Sequence, residues 1–263
     1  MTKLRSLIRN CIEAAPAGRN IMSAIDRHRL KRQTEMRLAR LGDREAVFTH
    51  HFQNNEWRND ESVSGSGSTL KYTEKIRKAL PDLVKSINAS VFLDAPCGDF
   101  NWFRFVELPE GVRYIGADIV DALIEQNIKN YTSQVHSFTK IDIVEQPLPA
   151  ASIWMCRDCL IHLSNSDVFA VLKNFINSQC DYLLTTTHSD CRENTDILTG
   201  SFREINLEIG PFSLGEPITK IDDWVDGFPV RHLALWRRED IRARLDKNDS
   251  FLASHIARAA PLI

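Results

Sequence analysis

The pattern of apolar and polar positions changes once along the chain, near residue 90. Before that point apolar residues recur at helical spacing, around residues 4–12, over about 21–41, and again from Leu70 to Ile87. Proline at position 81 is expected to kink or divide the last of these helices, because proline lacks an amide hydrogen and its ring clashes with the preceding turn. The first third of the chain is therefore predicted to be largely helical.

From residue 90 onward, short apolar runs alternate with helical stretches. That alternation is typical of βαβ units, which build a mostly parallel sheet with helices on both faces. Six of about seven expected strands can be assigned, at Val91–Asp94, Tyr114–Asp118, Ser137–Asp142, Ser152–Cys156, Tyr182–Thr187 and His232–Trp236. After the fourth strand, Ser164 and Asp167 form a capping box ahead of an apolar helix face. The pattern predicts an α/β, Rossmann-like fold with an N-terminal helical extension.

Two segments follow neither pattern. Residues 59–69 are rich in glycine and serine, and residues 200–231 mix partly alternating apolar positions with Gly and Pro. We predict an N-terminal helical region at 1–58 and one domain at 59–263, in which 59–69 form a lid loop and 200–231 an insertion that covers the substrate. A flexible linker is the alternative interpretation of the glycine/serine stretch.

The composition predicts a soluble, cytoplasmic protein. Hydrophobic residues make up 43% and charged residues 26% of 263, with no apolar run of the roughly 18 residues that a membrane span needs. The six cysteines are scattered, which favours free thiols. Cys156 and Cys159 have CxxC spacing without a second pair, so we expect a structural role and no metal site.

The positive charge is concentrated at the N-terminus. Residues 1–40 hold ten Lys or Arg against three acidic residues, whereas residues 41–263 carry about −9. Such an arm suits peripheral contact with an anionic membrane or an acidic partner, and a solvated helical face is the alternative. No nucleic-acid partner is expected.

The chemistry is concentrated at the ends of the first two strands. The first strand ends in Asp94 and is followed by a tight turn through Gly98 and a helix start. Ligands bind at the carboxyl ends of parallel strands, where a following helix offers free N–H groups. The second strand ends in Asp118, 24 positions later, a spacing that suits contact with ribose hydroxyls. These positions predict a nucleotide-like cofactor. The alternatives are that Gly98 only satisfies the backbone conformation of the turn and that Asp118 is a solvated acid at a strand end.

This turn resembles the first motif of class I S-adenosylmethionine-dependent methyltransferases, in which a strand is followed by Asp-x-Gly-Cys-Gly-x-Gly. The chain matches the motif at Asp94, Cys97 and Gly98. It departs with Ala95-Pro96 before the cysteine and with Phe100 where a further glycine is usual. The departures imply a different backbone approach to the cofactor.

Two later segments extend the resemblance over about residues 90–188. In this family a polar pair after the third strand contacts the adenine, and Asp142-Ile143 matches that pair only at the acid. Ile153–Leu163 resembles the family segment that lies beside the sulfonium and the acceptor. The resemblance implies S-adenosyl-L-methionine as cofactor and a transferase activity. The cofactor contacts that it implies are Asp94, Ala95, Pro96, Cys97, Gly98, Asn101, Trp102, Asp118, Ile119, Asp142, Ile143 and Arg157.

A second resemblance is to bacterial methyltransferase-like proteins encoded with capsule or lipopolysaccharide pathways. Trp57, the Glu61–Ser68 stretch and the Asp226–Trp236 tail carry it. It implies that Ser64 and Ser68 close over the cofactor and that Asn206 and Arg231 face the acceptor. The expected activity is O-methylation of a sugar, a sugar phosphate or a related small polar metabolite in polysaccharide biosynthesis.

Three residues after the fourth and fifth strands are candidates for the base that takes the acceptor proton. His162 and His188 project toward the same sheet edge, and Asp158 could orient a histidine or act itself. We rank His162 first, although either histidine could be a structural hydrogen bonder. Arg157 is placed to meet the cofactor carboxylate, an anionic acceptor or a surface acid. Trp102 is placed either beside the cofactor or as a core anchor.

Two other classes of protein remain open. The same strand, turn and acid suit an NAD-dependent oxidoreductase, although Gly-x-Gly-x-x-Gly is absent after the first strand. A non-catalytic adaptor with this fold is the second alternative. The Gly65–Gly67 run follows no predicted strand and does not fit the Gly-x-Ser-x-Gly nucleophile elbow of hydrolases. It also lacks the lysine of a phosphate-binding P-loop. We therefore set aside a hydrolase and a nucleotide triphosphatase.

Overall fold

The computed structural model of the chain describes residues 32–246. Residues 32–41 are helical and belong to a first unit that ends at Gly42, and a second unit begins at Asp43. The helix expected around residues 4–12 and most of the basic segment lie outside the described residues. The second unit contains all of the secondary structure discussed below.

Two helices precede the sheet. Helix α1 spans Arg44–Gln53 and begins at Asp43, whose side chain accepts a hydrogen bond from the Ala46 amide. Although the sequence analysis grouped α1 with the N-terminal region, it belongs to the second unit. Helix α2 spans Glu74–Ser86 and contains Pro81. The expectation that proline could divide this helix was wrong, because the buried apolar residues on both sides of it pack on the same core.

The predicted sheet is confirmed as a seven-stranded, mostly parallel one. Its strands are β1 Val91–Asp94, β2 Arg113–Asp118, β3 His136–Lys140, β4 Ile153–Cys156, β5 Tyr182–Thr187, β6 Thr219–Asp222 and β7 His232–Arg237. Their order is β3-β2-β1-β4-β5-β7-β6, and β7 pairs antiparallel with both β5 and β6, whereas the other pairs are parallel. Strand β3 ends at Lys140. Asp142, which was predicted to end this strand, therefore lies in the loop that follows it.

Helices cover both faces of this sheet. Helix α3 spans Asp121–Tyr131 and helix α4 spans Asn165–Asn177. Side chains alternate along β1: Leu93 packs in the core that contains α4, and Phe92 packs in the core that contains α2. Because both faces are covered, β1 and β4 are buried along their whole length, which explains their uninterrupted apolar sequences.

The predicted capping of α4 is confirmed at its serine. Ser164 Oγ accepts a hydrogen bond from the Asp167 amide, while the Asp167 carboxylate accepts hydrogen bonds from Arg44 and Thr199 instead of returning to the cap. None of the helices within residues 32–246 is both long and apolar enough to cross a membrane.

Strand β6 lies inside the segment that was predicted as a substrate-covering insertion. It is polar, with Lys220 and Asp222 exposed, and it forms the outer edge of the sheet beside β7. Charged residues are common on edge strands because they discourage pairing with another chain. The strand consequently shows no apolar pattern.

Candidate functional site

A cavity of about 440 Å³ opens at the carboxyl ends of β1, β2 and β4. In parallel α/β sheets this edge is where ligands bind. The predicted site residues that line it are Ser64, Ser68, Asp94, Pro96, Cys97, Gly98, Trp102, Asp118, Ile119, Asp142, Ile143, Arg157, Asp158, His162, His188 and Arg231. The fold thus brings together residues from seven separate segments of the chain.

Three predicted residues do not line the cavity. The Ala95 side chain is buried, and its carbonyl accepts a hydrogen bond from Trp154 Nε1 at 3.0 Å. Asn101 donates to Glu61 Oε1 and to the Ser68 carbonyl, so it fastens the glycine/serine loop. Asn206 makes hydrogen bonds within its own loop.

Asp94 ends β1 inside the cavity wall. Its carboxylate is 2% exposed and accepts a hydrogen bond from the Tyr114 hydroxyl at 2.8 Å. Burial raises the pKa of Asp94 to about 8, and the Tyr114 hydrogen bond and the charge of Arg157 offset only part of that increase. A buried acid with no paired cation is suited to hold a positively charged ligand group.

This raised pKa predicts how stability depends on pH. The folded-state pKa of Asp94 lies above the ordinary value, so its contribution to stability is present at low pH and is lost as pH rises toward about 8. We expect Asp94→Asn to unfold at a higher temperature than the wild type, by a margin that grows from pH 5 to 8 and then levels off. Melting curves of ligand-free protein measure this margin, and a margin independent of pH would contradict the assignment.

Gly98 and Asp118 join the turn after β1 to the end of β2. The Gly98 amide donates to Asp118 Oδ2 at 3.1 Å, and the Val120 amide donates to Oδ1 at 3.0 Å. Burial raises the pKa of Asp118 to about 6, although these hydrogen bonds act to lower it. Gly98 has φ +56°, a backbone conformation that glycine adopts without a steric cost.

Phe100, where the methyltransferase motif usually has glycine, also has φ of +56°. Its ring is 2% exposed, with its centroid 5.0 Å from that of Tyr114 and 5.1 Å from that of Phe138. The left-handed conformation is unfavourable for a bulky residue, and aromatic burial offsets that cost. The turn therefore keeps a glycine-like backbone at this position.

The glycine/serine loop is attached to the turn after β1. Asp99 accepts hydrogen bonds from Ser62 Oγ and the Val63 amide, both at 3.0 Å. A Cβ atom at Gly98 would overlap with Ser64 Oγ. The loop therefore lies directly on the turn, and its hydrogen bonds favour the lid interpretation over a flexible linker.

Arg157 is held in a buried ion pair that the sequence did not reveal. Its Nε and Nη2 donate to the two carboxylate oxygens of Asp223, each at 2.9 Å, and Nη2 also donates to the Gly67 carbonyl at 2.7 Å. Asp223 follows β6 directly and its side chain is fully buried. Arg157 thus links β4, the lid and the β6–β7 connection.

A second arginine completes the network. Arg231 Nη2 lies 2.8 Å from Asp158 Oδ2, and its Nε donates to the Asp223 carbonyl at 2.9 Å. The ring of Tyr72 lies 4.7 Å from the Arg231 guanidinium. Burial favours the neutral acid, but Arg157 and Arg231 hold the pKa of Asp158 below its ordinary value. Asp158 is therefore a weak base.

The two cavity histidines have different hydrogen-bonding roles. His162 Nδ1 lies 2.8 Å from the Ser201 carbonyl, which can only accept, so Nδ1 carries the proton and Nε2 has the free lone pair of the neutral ring. His188 Nδ1 accepts from the Ile205 amide at 3.4 Å, which places the ring proton on its Nε2. Burial lowers the pKa of both rings. Of the two, His162 is therefore the one suited to accept a proton.

Most of the aromatic lining of the cavity was not predicted from the sequence. The ring centroids of Trp57 and Phe202 lie 6.0 and 5.9 Å from that of His162. Phe48 and Phe52 of α1 and Phe228 also line the cavity. The spacing of four residues between Phe48 and Phe52 indicates one helix face, but not which surface that face meets.

Within residues 32–246 there is no group of three or more His, Cys, Asp or Glu side chains arranged to hold a metal ion. Cys156 and Cys159 are both buried, and Cys159 lines the cavity.

No protein-family model matches the sequence, and no curated protein matches it. Solved structures do match the fold. A SAM-dependent methyltransferase from Leishmania major has a TM-score of 0.56 and 15% identity, over 74% of this chain and 86% of that one. The 1,6-didemethyltoxoflavin-N1-methyltransferase of Burkholderia thailandensis has a TM-score of 0.53 and 15% identity, over 73% and 87%.

The magnesium protoporphyrin IX methyltransferase of Synechocystis, with bound SAM, has a TM-score of 0.50 and 12% identity, over 74% of this chain and 97% of that one. The chain therefore has the Rossmann-like fold of these methyltransferases. At such low sequence identity the similarity to these structures shows the fold alone.

Proposed function

We propose that the chain is a S-adenosylmethionine-dependent O-methyltransferase acting on a hydroxyl group of a small metabolite. One observation carries the proposal: a single cavity contains two buried carboxylates at the ends of β1 and β2 and, from the segment after β4, a histidine with a free Nε2 lone pair. The fold supports it, since the similar structures are SAM-dependent methyltransferases.

The residues present fit the cofactor. Asp118 offers carboxylate oxygens to ribose hydroxyls, and Asp94 offers a buried carboxyl group to the cationic part of the molecule. Ile119, Ile143 and Asp142 give the adenine an apolar wall with one polar edge. When bound, the cofactor supplies an electrophilic methyl group on a sulfonium.

The protein has to align the acceptor and remove its proton. His162 Nε2 takes the hydroxyl proton as the oxygen bonds to the methyl carbon, and the Ser201 carbonyl holds the ring in the required tautomer. His188 Nε2–H is a donor that can orient the acceptor. Asp158, neutralised by two arginines, positions Arg231 and is not the base.

The acceptors predicted from the sequence are a sugar, a sugar phosphate or another small polar metabolite. An uncharged hydroxyl compound is favoured here, because every arginine in the cavity lining is already paired with carboxylates. A role in capsule or lipopolysaccharide synthesis remains a prediction from sequence resemblance.

Replacement of Asp118 tests the cofactor. We expect Asp118→Ala to weaken S-adenosylhomocysteine binding by about 1 to 3 kcal/mol, roughly 5- to 150-fold, through lost charge-assisted hydrogen bonds. Isothermal titration measures the effect. The control is Asp121→Ala, three residues along the chain at an exposed position outside the cavity, which should bind as the wild type does.

The same titration separates the other classes. Tight binding of NAD without binding of S-adenosylhomocysteine would replace the proposal with an oxidoreductase. Absence of binding to either compound would favour the non-catalytic adaptor. Unchanged affinity in Asp118→Ala would show that the acid is misassigned.

A further inference from the structure

Two aromatic rings lie close to the proposed base. The ring centroids of Trp57 and Phe202 are 6.0 and 5.9 Å from that of His162. Phe202 is 59% exposed although it lies at the cavity, so a large apolar ring is left in contact with solvent. Aromatic side chains in such positions commonly bind planar or apolar ligands.

The charges of the lining leave no cation for an anionic acceptor. Of the described residues, the cations that line the cavity are Arg44, Arg157 and Arg231, and no lysine joins them. Arg44 is paired with Asp142, Glu145 and Asp167. The other two share Asp158 and Asp223. A phosphate or carboxylate would have to break one of these pairs.

The strength of the base matches an acidic hydroxyl. A neutral imidazole removes a proton more readily from a more acidic group. A phenol, like the tyrosine side chain, has a pKa of about 10, whereas an aliphatic hydroxyl is a far weaker acid. His162 is therefore better matched to a phenol than to a sugar.

We propose that the acceptor is an uncharged aromatic hydroxyl compound whose ring packs against Trp57 and Phe202, with its hydroxyl at His162 Nε2. This inference rests on the proposed function. In the reaction the acceptor oxygen forms a bond to the methyl carbon, the carbon–sulfur bond breaks, and the sulfonium becomes a neutral thioether. The hydroxyl proton passes to His162 and then to solvent.

Three probes test the acceptor class: 2-naphthol, methyl α-D-glucopyranoside and glucose 6-phosphate, each incubated with the protein and S-adenosylmethionine. Mass spectrometry detects the added methyl group. We expect methylation of 2-naphthol and of neither sugar. Trp57→Ala and Phe202→Ala should each lower kcat/KM for 2-naphthol by about tenfold or more, through lost stacking area, while S-adenosylhomocysteine affinity stays unchanged.

The matched control is Phe105→Ala, a phenylalanine that is 48% exposed and lies outside the cavity, and it should behave as the wild type. If turnover of 2-naphthol is slow, saturation-transfer NMR with S-adenosylhomocysteine-saturated protein decides the question: a naphthol signal that Trp57→Ala removes supports the inference.

Other outcomes overturn it. Methylation of either sugar without that of 2-naphthol would refute the aromatic acceptor and leave the methyltransferase proposal standing. A protein that binds S-adenosylhomocysteine but neither methylates nor binds 2-naphthol would do the same. Failure to bind S-adenosylhomocysteine would overturn the proposed function itself.

Discussion

His162→Ala is expected to lower the turnover number by about two orders of magnitude or more while leaving cofactor affinity unchanged. General-base assistance contributes about 10²- to 10⁴-fold, and of the two histidines that line the cavity within residues 32–246, this variant removes the one whose Nε2 carries a free lone pair. Steady-state turnover and S-adenosylhomocysteine titration measure the two quantities separately. His232→Ala, at a histidine outside the cavity, is the control and should retain wild-type turnover.

The pH profile provides a second measurement of the same role. Burial lowers the pKa of His162 below its ordinary 6.5. Because the base must be unprotonated, kcat/KM should rise with pH through that lowered pKa and stay level at neutral pH. Wild-type turnover in His162→Ala, or a profile without this acidic limb, would remove His162 from the mechanism.

Asp223→Ala is expected to cost about 3 to 5 kcal/mol in the free energy of unfolding. The change removes a fully buried carboxylate that Arg157 contacts through two hydrogen bonds at 2.9 Å. It leaves two guanidinium groups, those of Arg157 and Arg231, with Asp158 as their one shared carboxylate, and such an imbalance of buried charge is far more costly than losing an exposed pair. Chemical denaturation of ligand-free protein measures the loss.

The neighbouring residue offers a matched control. Asp222 lies 3.5 Å from His232 with its side chain 57% exposed, so Asp222→Ala should change stability by less than about 1 kcal/mol. Equal losses in the two variants, or no loss in Asp223→Ala, would show that the buried network does not stabilise the domain.

Much of the fold was predictable because its signals are local. Short runs rich in apolar and β-branched residues, such as Val91–Asp94 and Tyr182–Thr187, indicate buried strands, and both strands have the expected bounds. Strand β6 was missed because a polar edge strand lacks that pattern. The 59–69 loop was visible only as glycine/serine composition, and its hydrogen bonds are to Asp99, which belongs to another segment.

The sequence by itself determined the parallel α/β sheet and the strand-end acids Asp94 and Asp118. It did so because hydrophobic period and turn residues depend on near neighbours. The tertiary structure alone decided that Arg157 pairs with Asp223, 66 positions away, and which nitrogen of His162 is free. Charge compensation and tautomer depend on groups that only folding brings together, so the sequence offered several possible bases and the structure favours one.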